Sequence, residues 1–154
     1  RRTRLTVVHG DFSPKNVLIH RGKLVLLEHE AIHFGDPAFD VGFAMAHFLS
    51  KAHHLPQWRE AFGSETLHYW RTYLRTLGPV AWQPELEPRA VRHGLGCLLA
   101  RVDGRSPLEY LNEEERGRQR QVVTQLMKDP PETMEKLIAC FLEALADNVK
   151  NRIS

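Results

Sequence analysis

The spacing of apolar positions changes at Pro37. Before it they come in short runs, at 5–8, 17–19 and 24–27, separated by Gly, Pro, Asn and Asp. Runs of this length with turn residues between them predict strands. The second and third flank His20-Arg21-Gly22-Lys23, whose glycine suits the tight turn of a β-hairpin. At a period of two, Leu24, Leu26, Glu28 and Glu30 share one face and Val25, Leu27 and His29 the other. Glu28 and Glu30 are therefore expected to point the same way from the strand end.

After Pro37 the pattern is helical to the end. Asp36-Pro37 pairs a capping acid with a proline at the first helical position. Phe39, Phe43, Met45 or Leu49, and Ala46 then carry an apolar stripe to about Lys51, broken by His54-Leu55-Pro56. A second helix is expected over 57–77, ending at Gly78-Pro79, with Trp58, Phe62, Leu67, Trp70 and Leu74 in the core. Pro84 and Pro88 flank the start of a third, which runs to Val102 and stops at Asp103-Gly104. Asn112 caps a fourth through about Lys128, and Asp129-Pro130-Pro131 separates it from a last one over 132–149. In the fourth, Glu113-Glu114-Glu115 followed by Arg116, Arg118 and Arg120 predicts a solvated, ion-paired face.

A chain of 154 residues makes one domain, taken here as 1–154, with enough length for a proper core. A formal charge of +2 without a Lys/Arg run argues against nucleic acid as a partner. No apolar run is long enough to span a membrane, and RRTRLTVVHGD turns polar too early for a secretory signal. Cys97 and Cys140 lie far apart in apolar helical surroundings, which predicts free thiols and a cytoplasmic location. The scattered histidines lack zinc-ligand spacing, and Ser13 and Ser106 lack the glycines of a nucleophile elbow.

Candidate chemistry concentrates in VVHGDFSPKNVLIHRGKLVLLEHEAIHFGDPAFDVGFAMAHF, residues 7–48. His9-Gly10-Asp11, Asn16, Glu28-His29-Glu30 and Gly35-Asp36-Pro37 with Asp40 place acid and amide oxygens at short spacings between apolar runs. Mg²⁺ with phosphate requires such a set, because the ion takes one or two carboxylates, water and substrate oxygens. Asp40 falls within an apolar helical stripe, so its carboxylate needs a partner, either His9 or the amides of the loop after it.

HGDFSPKNVLI and LVLLEHEAIHFGDPAFDVG resemble the catalytic and metal-binding loops of the aminoglycoside phosphotransferase and choline kinase-like small-molecule kinases. The matching motifs span 7–46, and LLARVDGRSPLEYL at 98–111 is similar to a stretch in bacterial members. The resemblance implies a protein-kinase-like fold and an α+β, mostly helical chain. A small β-hairpin and catalytic loop would pack on about five helices, as in that fold's C-terminal lobe. Asp11 would be the catalytic base, Asn16, Glu28 and Glu30 the metal group, and His9, Gly35, Asp36 and Asp40 structural support. Glu28 stands where the family usually has Asp, which puts one more methylene between backbone and metal.

The implied cofactor is Mg²⁺ (or Mn²⁺). Only eight residues precede His9, with no Gly-rich loop or strand lysine among them, so the chain resembles the C-terminal lobe alone. ATP or GTP is therefore expected only if an N-terminal lobe is supplied. The expected activity is phosphoryl transfer to a small-molecule hydroxyl. Alternatives are a metal-dependent phosphoesterase and an inactive fragment. Because the uncovered strands would expose apolar area and edges, a homodimer through that cleft is expected.

Overall fold

The structure is a computed structural model that describes residues 5–80 and 83–150, with the backbone alone at 148–150. Strand β1 (Thr6–Val8) is followed by a 3-10 turn (Pro14–Asn16), β2 (Val17–His20), β3 (Lys23–Leu26), a second 3-10 turn (His29–Ala31) and β4 (His33–Gly35). Five helices complete the chain: α1 (Pro37–His54), α2 (Arg59–Leu77), α3 (Gln83–Asp103), α4 (Glu113–Lys128) and α5 (Met134–Lys150). The fold is α+β and mostly helical, as the periodicity predicts.

Two antiparallel pairs replace the single hairpin expected. In β2–β3, Val17 lies opposite Leu26 and His20 opposite Lys23. Arg21 and Gly22 between them have φ of 49° and 72°, the left-handed pair that a two-residue hairpin turn demands. In β1–β4, Thr6 lies opposite Gly35 and Val8 opposite His33. Strand β4 was not foreseen, since His-Phe-Gly is too short to show a period.

Helix α1 is the axis of the helical layer. Val41 through Ala46 are all buried, more than a full turn, so α1 is covered on every side rather than along one stripe. Met45 and Leu49 meet Leu95 and Leu98 of α3 and Leu137 and Phe141 of α5 in one apolar core. Helix α3 comes close enough that a Cβ on Gly42 would stand 2.6 Å from the Gly94 amide nitrogen. Buried Gln119 ties α4 to this pair, donating to the Leu98 carbonyl (2.8 Å) and Ser50 Oγ (3.2 Å).

Asn112 caps α4 through a full capping box with Glu115. Beside it, Glu113 pairs with Arg116 and Glu114 with Arg118. Of the expected core residues of α2, Trp70 is buried, but Trp58 is 59% exposed. Trp58 belongs to a short 3-10 turn before the helix, outside the α-helical register on which the expectation relied. Both cysteines are free, Cys97 buried and Cys140 half-buried. No described helix is long and apolar enough to cross a membrane.

Candidate active site

The loop from His9 to Asn16 is held from below by α1. Asp40, in the first turn of that helix, accepts from the His9 amide at 2.6 Å and the Gly10 amide at 2.9 Å. Both carboxylate oxygens are used, and each bond is charge-assisted. Gly10 has φ of 81°, and a Cβ there would lie 2.5 Å from the Ala31 carbonyl oxygen, so no other residue fits. The His9 ring clamps the loop from a second side. Its Nε2 donates to the Leu27 carbonyl (2.8 Å) while Nδ1 accepts from the Asp11 amide (3.3 Å). With both ring nitrogens engaged, His9 orients the loop.

That clamping delivers Asp11. Its Oδ2 accepts from Asn16 Nδ2 at 2.8 Å and lies 3.2 Å from Lys15 Nζ. Asn16 Nδ2 also donates to the Asp11 carbonyl (2.8 Å), which fixes the amide and leaves its oxygen for another ligand. Asn16 is buried, whereas Asp11 is half-exposed.

The residue before Glu28 is tied to the loop, since the Leu27 amide donates to the Asn16 carbonyl at 2.8 Å. The strand alternation expected to carry Glu28 and Glu30 does not hold. Strand β3 ends at Leu26, Glu28 adopts the left-handed conformation (φ 59°, ψ 64°), and Glu30 lies in the 3-10 turn that follows. The two side chains therefore do not leave one strand face together. A non-glycine residue in this region costs about 1–2 kcal/mol, strain of a kind that clusters at functional sites. Among the described residues no three His, Cys, Asp or Glu side chains converge on a metal position. Mg²⁺ takes only one or two protein carboxylates beside water and substrate oxygens, so the lack of such a cage does not bear on it, and Glu28 is exposed.

Gly35 and Asp36 support the site from β4 and the start of α1. A Cβ on Gly35 would come within 2.9 Å of the His33 ring and of Val8 Cγ2, so glycine lets β1 and β4 pair closely. Asp36 caps α1 by accepting from the Ala38 amide (3.0 Å) and is bound by Arg89 of α3 at 2.9 Å. Arg89 was not foreseen, because a partner 53 residues away leaves no trace in local pattern.

Two further groups around Phe43 were also missed. The Arg101 guanidinium lies 4.9 Å from the Phe43 ring centroid, and the His47 ring packs at a tilt against the same phenylalanine at 5.0 Å. Burial, and then the charge of Arg101, hold the His47 imidazole down at about 4, against an opposing pull from Asp11. His47 Nε2 and Ser13 Oγ are buried without a hydrogen-bond partner. The only sequence signal was the apolar-stripe position of His47 and the placement of Arg101 within LLARVDGRSPLEYL. Behind the loop lies an apolar cavity of about 550 Å³, lined in part by Val8, Phe12, Val41, Tyr69 and Tyr73. Its one carboxylate, Asp40, is already committed to the loop amides.

Comparison with known proteins adds one assignment. Residues 1–80 match the phosphotransferase enzyme family, just over half of the 154. No curated protein and no solved structure matches the chain. The match takes in the whole of the loop, the hairpin and the first turn of α1, where the clamped Asp11, Asn16 and Asp40 lie. The chain belongs to the phosphotransferase enzyme family.

Proposed function

We propose that the chain transfers a phosphoryl group from a nucleotide to the hydroxyl of a small molecule, with Asp11 as the general base. The observation that carries this reading is the position of the Asp11 carboxylate, fixed by Asn16 on a loop pinned by Asp40 and His9. The acceptor hydroxyl gives its proton to Asp11, and its oxygen forms the new bond to the terminal phosphorus. The bond from that phosphorus to the bridging oxygen breaks, and the nucleoside diphosphate leaves with the electron pair. Lys15, 3.2 Å from Asp11, stands where it can offset charge gathering on the transferred group.

Asn16 and Glu28 would hold Mg²⁺ or Mn²⁺, and Glu30 would hydrogen-bond the ion's waters. Such an ion supplies neutralisation of phosphate charge. ATP or GTP is the proposed donor where an N-terminal lobe covers the cleft. The strand surface such a lobe would cover is strongly apolar: Leu5, Val7, Ile19, Leu24 and Phe34 are each at least 60% exposed. A second copy of the chain is the partner we propose for this surface in the absence of a lobe. Replacing Asp11 by Asn tests the reading, because it removes the base and keeps the shape. Transfer to a hydroxyl should fall about 10²–10⁴-fold. Loss of no more than about threefold would remove Asp11 from the mechanism.

A further inference from the structure

A cleft of about 300 Å³ opens between α1 and α3. Its floor is aromatic: Phe39 and Phe43 lie 5.7 Å apart, centroid to centroid. Its rim carries Arg92, His93 and Arg101, and no acidic residue lines it. The charge there is largely uncompensated. Arg92 is exposed, and neither it nor Arg101 has a carboxylate partner among the described residues. Arg101 donates only to the Ser106 carbonyl, at 3.2 Å, and its Nε is buried without a partner. Asp36, which comes within 3.5 Å of His93, is bound by Arg89 at 2.9 Å.

Cationic forks over an aromatic floor are how proteins grip planar oxyanions, because guanidinium matches a carboxylate or phosphate bidentately. The volume suits a small molecule at the lower end of ligand cavities. Phe43 connects the cleft to the chemistry, since it carries Arg101 on its face and His47 beside it, and His47 responds to both Arg101 and Asp11.

We infer that this cleft binds the acid group of the phosphoryl acceptor through Arg92 and Arg101, so that the substrate is an anionic hydroxyl compound rather than a cationic one. The inference rests on the phosphotransferase reading for the ligand's role, but not for its charge. A site built for an amine would need acids where this cleft has arginines.

The test is calorimetric titration of the purified chain with phenyl phosphate, benzoate and benzylamine. Neither anion carries a hydroxyl, so their binding does not depend on phosphoryl transfer and survives failure of that reading. At least one anion should bind and benzylamine should not. Which of the two binds more tightly decides between a phosphate and a carboxylate as the recognised group. R92Q and R101Q should each weaken anion binding about tenfold or more, as expected for loss of a charged hydrogen bond. R101K keeps the charge and the cover over Phe43 but not the fork, and should lose affinity while its melting temperature stays near the parent's. Equal binding of benzylamine, no anion binding at millimolar concentration, or affinity unaltered in R92Q and R101K would overturn the assignment.

Discussion

Asp40 is the residue on which the loop depends most. Replacing it by Ala leaves the His9 and Gly10 amides without an acceptor, at about 1–3 kcal/mol for each buried group. Asp40→Ala should lower the melting temperature and slow any chemistry together, and an unchanged melting temperature would show that the loop is held by other means. Glu28→Asp tests the longer acid. If the left-handed turn at Glu28 compensates for the extra methylene, shortening the side chain withdraws the oxygen and weakens Mg²⁺ binding in a calorimetric titration. Tighter binding would show that the turn does not set the metal distance. His47 contributes a pH dependence. Its folded pKa of about 4 lies below the 6.5 of an unfolded imidazole, so the unfolded state takes up the proton first as pH falls. This part of the stability is complete above about pH 6.5 and is lost between there and pH 4. His53, also lowered chiefly by burial, adds in the same direction. Denaturant midpoints measured across that window should decline less in His47→Gln than in the parent.

Among the elements, the α1–α3 contact sets the geometry on which the candidate cleft rests. Gly42→Ala would drive a Cβ against the Gly94 backbone, which cannot rotate aside, at about 1–3 kcal/mol for overpacking. A drop in denaturant midpoint of that size is expected, and none would mean that the helices can separate freely. Helix ends were the most legible features in the sequence. Asp36-Pro37, Asn112 and Gly78 are local signals, and α1, α2 and α4 begin or end within a few residues of them. Strand β4 and the 3-10 turns were not legible, because three residues cannot display a period. The alternation that placed Glu28 and Glu30 together failed for a related reason, since a period of two says nothing of where a strand stops.

For the molecule as a whole, the loop motifs revealed the clamped Asp11, Asn16 and Asp40, whereas the contacts between distant helices were hidden. Arg89 on Asp36 and Arg101 over Phe43 join parts of the chain more than fifty residues apart. Nothing in local pattern carries such pairings. Ile19 and Leu24, opposite one another across β2–β3 and each above 70% exposed, present an apolar pair that should drive association. Sedimentation at micromolar concentration should show a dimer, shifted toward monomer by Ile19→Lys or Leu24→Lys, and a clean soluble monomer would remove this interface. The proposed function turns on Asp11 acting as the base of phosphoryl transfer. The most direct measurement is turnover of ATP or GTP with Mg²⁺ or Mn²⁺ by the full encoded polypeptide, in the presence of small hydroxyl compounds, beside its Asp11→Asn variant. Phosphorylated acceptor is expected from the parent, and about 10²–10⁴-fold less from the variant at the same melting temperature. Equal product from both, or none from the parent, would contradict it.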